Sequence, residues 1–393
     1  MLRVLIAKER TPGEARVSAT PETIRQMVQL RVEPWVSPGA GDWAFIKDKD
    51  YEAAGAKIAS DLREAYSAAD ILLRVRALER QEPLGDEVAL LKPGAAVIGF
   101  LAPYAHDATI RRMLERQITS LPMELVPRIT RAQKMDALSS QASIAGYKAV
   151  LVAATHLPKY FPLLMTAAGT VKAARVVVMG AGVAGLQAIA TAKRLGAVVE
   201  ASDIRPEVKD QVESLGGKFI DLPDMGQAGS GEGGYARQVS AEFLKKQQAL
   251  VKEHVVLADV VITTAQVPGK PAPKLVTADM VQAMRPGSVI VDLAVESGGN
   301  CELSEAGKEV RKHGVLLVGP PNLPATLPVD ASLLYARNVL ALLQNILTQD
   351  GQLNIDTKDS VTGPTLLTHA GQCFHAPTAQ RLGISPAVAP AAV

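Results

Sequence analysis

The chain has 393 residues, of which 48% are hydrophobic and 21% are charged, and its formal net charge is +2. This is the composition of a globular protein with two or three domains, and it gives no reason to expect nucleic acid as a partner. Two cysteines, Cys301 and Cys373, are too few for a disulfide framework, so a reducing cytoplasm is the expected compartment. We expect no signal peptide, because the N-terminus MLRVLIAKER has no apolar core of sufficient length before its next charges. We expect no membrane span, because the most apolar window, from Ala149, is interrupted by His156, Lys159 and two prolines.

The segment before Pro127 predicts an open α/β unit. Short apolar runs of strand type occur in RVLIA, ADILLRVRA and AAVIGFLA. The segment TPETIRQMVQL predicts a helix with Thr20 as its N-cap, Pro21 at its first position and Ile24, Met27 and Val28 on one face. A further helix is predicted in DATIRRMLERQ.

The segment PRITRAQKMDALSSQASIAGYKAV, residues 127–150, is unusually polar. Charged, amide and hydroxyl side chains crowd residues 128–141, and larger apolar side chains return only thinly between them, at Ile129, Met135 and Leu138. An ordinary surface helix would separate its polar face from an apolar one. A helical region is predicted to follow, from roughly Asp136 to Ala168.

A second α/β unit follows the helical region. Its predicted strands are ARVVVMG, AVVEASD, KFI, DVVITTA, SVIVDLA and VLLVG. From about Asp330, ASLLYARNVLALLQNIL predicts an apolar helix that returns the chain to the first unit. The pattern therefore predicts an α/β protein with two Rossmann-like open parallel-sheet subdomains, separated by a cleft and linked by long helices. The first comprises residues 1–135 and about 330–393, and the second about 136–329.

The strongest chemical motif is VVVMGAGVAGLQAIATAKRLGAVVEASD, in which Gly180, Gly182 and Gly185 follow a strand and open a helix. Gly180 permits a tight turn, Gly182 lets a pyrophosphate approach the backbone, and Gly185 allows the helix to pack closely on the strand. The helix N-terminus then faces the phosphates. The alternative is a Gly-rich turn in an α/β domain that binds nothing. The complete strand–turn–helix–strand context favours dinucleotide binding.

Asp203 ends the next strand of this motif, where a carboxylate can accept hydrogen bonds from the adenosine ribose. The carboxylate also favours NAD over NADP, because it would repel a 2′-phosphate. Arg205, two residues on, is a contrary signal for this nucleotide choice, although it could instead stack on the adenine or simply be solvated.

Three later segments could complete a nucleotide site. VITTAQVPGKPAP and VDLAVESGGNCE leave strands where parallel sheets bind ligands, and Glu296 and Asn300 have either a ligand role or a role in loop hydrogen bonding. The Gly-rich DLPDMGQAGSGEGGYARQ, which contains Gly234 and ends near Tyr235, is either a disordered insert or a lid that closes over nucleotide.

No catalytic acid, base or metal-ligand cluster is recognisable in the sequence. The six histidines are scattered, and His156 is interpreted as a core residue. A dehydrogenase that oxidises an alcohol or amine needs a proton acceptor beside the hydride donor. Hydride exchange between two nicotinamide rings needs only close placement of the rings and a dry site.

The chain resembles the NAD(H)-binding component, domain I, of proton-translocating nicotinamide nucleotide transhydrogenase. The resemblance runs through nearly the whole chain and rests on the polar segment, the glycine motif, ESLGGKF, GGYA, ITTAQVPGKPAP and GSVIVDLAVESGGNCELSE. In that family the polar segment is a loop that holds the nicotinamide.

The resemblance implies a role for several side chains. Gln133 would bridge towards the second nucleotide, Arg128 and Asp136 would orient and pair around the ring, Ser139 would contact the carboxamide, and Tyr235 would be the aromatic residue of a mobile loop. The full set of predicted cofactor-binding residues is Arg128, Ile129, Arg131, Gln133, Asp136, Ser139, Gly180, Gly182, Val183, Gly185, Asp203, Ile204, Arg205, Gly234, Tyr235, Gln247, Ala265 and Gln266.

The resemblance also implies partners. These are a second copy of the chain, an NADP(H)-binding beta subunit and transmembrane subunits, which place the chain at the cytoplasmic face of the membrane. The chain ends in LGISPAVAPAAV without a span, so the membrane part is expected on separate polypeptides. No metal is expected.

Alanine dehydrogenase shares this architecture and is the alternative. RVLIAKERTPGEARVSATP and DILLRVRA are similar to it, and in that pattern Arg16 would bind a substrate carboxylate. That family expects Lys where this chain has Arg76, His where it has Ala102 and Asp where it has Glu296, so the substrate-handling chemistry is missing. A module that only senses NAD is a third interpretation.

Overall fold

The computed structural model describes residues 1–81, 84–221, 240–267 and 269–387. The chain folds into two units, which we call the terminal unit (Met1–Gln141 and Ala325–Val393) and the central unit (Ala142–Pro324). The boundaries predicted from the sequence, near residues 135 and 330, lie a few positions from these. The predicted lid, with Gly234 and Tyr235, lies outside the described residues.

The terminal unit is built on an eight-stranded sheet. Numbered in chain order, the strands of this unit are β1 Arg3–Ile6, β2 Glu33–Val36, β3 Lys57–Ile58, β4 Ile71–Leu73, β5 Arg80–Gln81, β6 Gly85–Asp86, β7 Ala96–Gly99, β8 Thr119–Pro122, β18 Thr368–His369 and β19 Gln372–Cys373. The order in the sheet is β19-β18-β8-β7-β4-β1-β2-β3, and β5 and β6 pair separately. The strands from β8 to β3 in this order pair in parallel, whereas β18 and β19 are antiparallel additions at one edge.

Helices cover the sheet of the terminal unit. They are α1 Pro21–Gln29, α2 Asp48–Ala53, α3 Leu62–Ala68, α4 Glu87–Leu90, α5 Asp107–Glu115, α11 Pro328–Asn345, α12 Thr362–Thr365 and α13 Ala376–Leu382. Helix α1 begins at Pro21 as predicted and buries Ile24 and Met27, but Val28 is 44% exposed and does not belong to the buried face.

Helix α11 completes the core of the terminal unit. Its residues Tyr335, Val339 and Leu342 are fully buried in one cluster with Val4 of β1 and Leu73 of β4. The predicted apolar helix is therefore confirmed, and it supplies apolar surface that the N-terminal part of this unit lacks.

The central unit is built on a seven-stranded sheet. The strands of this unit are β9 Leu164–Thr166, β10 Gly169–Val171, β11 Arg175–Met179, β12 Val198–Ser202, β13 Lys218–Phe219, β14 Val260–Thr263, β15 Val289–Asp292, β16 Glu309–Lys312 and β17 Val315–Val318. Its helices are α7 Val183–Arg194, α8 Lys209–Ser214, α9 Ala241–Val256 and α10 Ala278–Ala283. The sheet order is β13-β12-β11-β14-β15-β17-β16, parallel except for β16. This is the order of a doubly wound sheet, and all six predicted strands are present.

Helix α6, Ala137–His156, is shorter than predicted. Beyond it, Pro158 cannot donate a helical hydrogen bond, and the chain forms the hairpin β9–β10 instead. His156 also differs from the prediction, since it is half-buried and lies 3.4 Å from the carboxylate of Glu309. Across the described ranges, no helix is long and apolar enough to cross a membrane.

Candidate functional site

The three glycines of the motif have three different environments in the central unit. Gly180 follows β11 with φ +102°, and a Cβ there would lie 2.6 Å from the Thr264 hydroxyl. A Cβ on Gly185 would lie 1.8 Å from the Gly180 carbonyl oxygen, which no side chain could tolerate. The nearest atom to a Cβ on Gly182 is 3.8 Å away, in Arg205. The tight turn, the open approach and the close helix packing all match the sequence analysis.

Helix α7 begins beside this open approach. Gly182 precedes it in an extended conformation and, having no side chain, leaves the first-turn amides uncapped, and Val183 at the first position is 39% exposed. Uncapped first-turn amides and the positive end of a helix dipole together suit a phosphate.

Asp203 follows β12 directly and is only 6% exposed. One carboxylate oxygen accepts the Ala181 amide at 2.7 Å, so Asp203 holds the glycine loop against the end of β12. Arg205 bonds to both oxygens, through its amide and Nε at 2.9 Å each and through Nη2 at 2.8 Å. This bond raises the pKa of Arg205 in spite of its burial. Arg205 is therefore ion-paired, and the interpretation that it is solvated is wrong.

The loops after β14 and β15 are tied together at the same edge of the sheet. The fully buried Asn300 accepts the Ala265 amide at 3.0 Å and donates to the Ala265 and Pro273 carbonyls. Gln266 donates to the Leu293 carbonyl at 2.8 Å. Asn300 thus serves loop hydrogen bonding, whereas Glu296 is exposed.

Two further predicted residues lie near this edge or on its supporting helix. Ile204, between Asp203 and Arg205, is half-buried. Gln247 in α9 is 5% exposed and shares a helix face with the buried Val251 and Val255. Thr264, which sequence reasoning missed, fixes the turn through a 3.0 Å bond to the Gly180 carbonyl.

Residues 127–141 of the polar segment belong to the terminal unit, and Thr130–Met135 forms a 3₁₀ helix there. Side chains three residues apart share a face of such a helix. Ala132 and Met135 therefore both enter the core, while Gln133 is exposed. Ile129, which precedes the helix, is 40% exposed. The segment is thus amphipathic with the three-residue period of a 3₁₀ helix, which a search for the 3.6-residue period of an α-helix does not detect.

Arg131 anchors this 3₁₀ helix. Its guanidinium donates to Asp359 at 2.6 Å, to Ser360 at 3.3 Å and to Asn345 at 2.8 Å. Burial alone would raise the pKa of Asp359, but hydrogen bonds from Thr362, Asn345 and Arg131 hold it well below its usual range. These bonds give Arg131 a structural role, and its binding of nucleotide stays a prediction.

Asp136 and Ser139 form a cap at the start of α6. The Asp136 carboxylate accepts the Ser139 amide at 2.9 Å and the Ser139 hydroxyl at 2.6 Å. Both side chains are half-buried, and Arg128 is exposed. The structure therefore places Arg128, Gln133, Asp136 and Ser139 on one short segment, with a capping role for the last two that the sequence analysis did not assign.

Gln141 and Arg16 form a buried polar link in the terminal unit. Arg16 donates to the Glu14 carboxylate through Nε at 2.8 Å and Nη2 at 2.7 Å, and to the Gln141 amide oxygen at 2.9 Å. Gln141 in turn donates to the Ala331 carbonyl of α11.

Comparison with known proteins agrees with this geometry. Residues 5–145 match the family model "Alanine dehydrogenase/PNT, N-terminal domain", and residues 149–376 match "Alanine dehydrogenase/PNT, C-terminal domain". An NAD(P) transhydrogenase alpha subunit from Rhodospirillum rubrum is 49% identical over 95% of this chain and 98% of its own length.

Two further relatives represent the transhydrogenases and the alanine dehydrogenases of this family. A solved transhydrogenase structure from Sinorhizobium meliloti has a TM-score of 0.84 and 46% identity, covering 94% of this chain and 99% of that one. The alanine dehydrogenase of Mycobacterium tuberculosis is 30% identical over the full length of both chains. The chain therefore belongs to the alanine dehydrogenase/PNT family and, within it, to the NAD(P) transhydrogenase alpha subunits.

Proposed function

We propose that this chain is the NAD(H)-binding subunit of a proton-translocating transhydrogenase. It holds NADH for hydride transfer to NADP⁺ on a partner subunit. The observation that carries the proposal is the turn from Gly180 to Gly185, where the surroundings of the three glycines suit a dinucleotide. The adjacent carboxylate of Asp203 suits NAD(H).

The terminal unit offers no comparable phosphate loop among its described residues. Between β1 and α1 the chain has a single glycine, Gly13. The corresponding edge instead holds Glu9, 7% exposed, whose carboxylate accepts from Arg74 and from the Val75 amide. This ion pair occupies the place where a phosphate loop would present backbone amides. One chain therefore binds one nucleotide, and NADP(H) must come from a partner.

The chain's own residues bind and orient the nucleotide. The first-turn amides of α7 bind the pyrophosphate, and Asp203 accepts from the adenosine ribose in place of bonds that the Arg205 guanidinium makes to it here. NADH supplies the hydride, which leaves with its electron pair, so no side chain has to take up a proton. Arg128, Asp136 and Ser139 orient the nicotinamide, and Gln133 reaches towards the second nucleotide.

The assembly contains more than this chain. We propose a homodimer that docks with an NADP(H)-binding beta subunit and transmembrane subunits at the cytoplasmic face of the membrane. Those partner subunits couple hydride transfer to proton translocation.

Alanine dehydrogenase activity is disfavoured by the contacts of Arg16. The guanidinium that would bind a substrate carboxylate is neutralised by Glu14 and also bonded to Gln141. An amino acid would have to displace a bidentate ion pair in which both side chains are almost completely buried.

The test is hydride transfer with and without a partner. The purified chain should bind NADH but transfer no hydride to NADP⁺, and addition of an NADP(H)-binding subunit should start the transfer. Robust transfer by the chain alone would contradict this division of roles. Reduction of NAD⁺ that depends on L-alanine would favour alanine dehydrogenase, and binding without any transfer would favour a sensor.

A further inference from the structure

One buried amide joins two points of the polar segment. Asn338 lies in α11 and is 8% exposed. Its Nδ2 donates to the Lys134 carbonyl at 2.8 Å, and its Oδ1 accepts from the Ser140 hydroxyl at 2.7 Å. We call Lys134, Asn338 and Ser140 the Asn338 bridge.

The two ends of the bridge adjoin the residues assigned to the nicotinamide. Lys134 directly follows Gln133, and Ser140 directly follows Ser139. Between them the chain changes from the 3₁₀ helix to α6 at Asp136, whose ψ of 83° belongs to neither helix. At this corner the Asp136 amide donates to the Gln133 carbonyl and the Asp136 carbonyl accepts the Ser140 amide, each at 3.3 Å. The Asn338 bridge adds a link from α11 that spans the same corner.

A carboxamide fits both ends of the bridge. The Lys134 carbonyl needs a donor and the Ser140 hydroxyl donates to an acceptor, and Asn offers one of each. Ser140 also contacts the Ala137 carbonyl at 3.1 Å, and Gln141 donates to Ser140 at 3.3 Å. Arg131 holds the other side of the segment through Asn345 and Asp359.

We propose that Asn338 is a positioning residue for hydride transfer. It fixes Gln133 relative to the Asp136–Ser139 cap and does not itself touch the nucleotide. This inference rests on the proposed function. Transfer demands close approach of the reacting carbons, and a displacement of about 1 Å can slow such a step on the order of 100-fold, whereas binding tolerates it.

The first test is Asn338→Leu, which has a similar volume and suits an apolar helix. In a mixture with an NADP(H)-binding subunit, hydride transfer should slow at least about 10-fold, while the Kd for NADH stays within about threefold. Ser140→Ala removes one end of the bridge and should also slow hydride transfer.

A matched control is Ser332→Ala in the same helix. Ser332 is fully buried and accepts the Val17 amide at 3.0 Å, so the change also removes a buried hydrogen bond but does not touch the polar segment. It should lower thermal stability and leave the transfer rate unchanged. Equal slowing by Ser332→Ala would show a general effect of helix α11 and overturn the proposal.

A double-mutant cycle tests the route through Gln133. If Asn338 acts by placing Gln133, then Asn338→Leu should add little slowing to Gln133→Asn, whereas independent effects would multiply. Multiplied effects, or a loss of NADH affinity in proportion to rate, would overturn the proposal. Wild-type protein that transfers hydride no faster than Asn338→Leu would overturn this inference alone. A wild-type mixture that transfers none would overturn the proposed function and this inference with it.

Discussion

Replacing Asp203 with Ala should weaken NADH binding and abolish the preference for NADH over NADPH. The change removes a ribose acceptor and the 2.7 Å bond that holds the Ala181 amide in the glycine loop. A hydrogen bond to a charged group contributes about 1.5–3 kcal/mol, so the Kd for NADH should rise roughly 10- to 150-fold. The change also releases Arg205, which can then meet a 2′-phosphate.

Equilibrium fluorescence titrations with both reduced nucleotides measure this effect. Asp203→Asn is the matched control, because its amide oxygen can still accept from Ala181 while the charge is lost. Asp203→Asn should therefore lose specificity with less loss of NADH affinity. Arg205→Ala keeps the carboxylate and should keep the preference. If Asp203→Ala still binds NADH much more tightly than NADPH, the carboxylate does not determine nucleotide choice.

Three other changes test the site and the fold. In the partner assay, Gln133→Asn should slow hydride transfer strongly while NADH affinity barely changes, and a parallel loss of affinity would make Gln133 a plain binding residue. Gly185→Ala should lower the free energy of unfolding, measured by chemical denaturation, by about 3 kcal/mol or more, because its Cβ would overlap the Gly180 carbonyl. Gly182→Ala should keep the fold and weaken NADH binding. Burial raises the pKa of Glu124 to about 7, although the Leu101 and Ala102 amides donate to it. The folded state thus holds its proton more tightly than the unfolded state, so its contribution to stability is present at low pH and is lost as the pH rises from about 4.5 to 7. This decline in the free energy of unfolding is at most about 3 kcal/mol, and Glu124→Gln should remove it. Identical pH profiles of the variant and the wild-type protein would contradict the reasoning.

The glycine motif was predictable because each glycine has a separate steric reason. Gly180 needs a positive φ and Gly185 needs contact with backbone, and both requirements are local to a strand–turn–helix. Helix α11 was predictable for a similar reason, since a long apolar run with few breakers permits little else.

The polar segment shows where sequence reasoning stops. The same polar residue types bind nucleotide and anchor the fold. Only the contacts of a side chain with residues distant in sequence distinguish the two roles. Arg131 is anchored by Asn345 and Asp359, which lie in the C-terminal part of the chain. Asn338, a polar residue on the buried side of an apolar helix, was one available signal.

The insertion of the central unit into the sequence of the terminal unit has a consequence for synthesis on the ribosome. Ala142–Pro324 is complete before α11 is made, so the central unit can fold while the nascent terminal unit still lacks Tyr335, Val339 and Leu342. Until then, the core cluster around β1 and β4 lacks the apolar side chains of α11, because these contacts join opposite ends of the sequence. Chaperone dependence should therefore concentrate in Met1–Gln141, and a chain that stops at Pro324 should keep a folded central unit while its terminal unit stays incomplete.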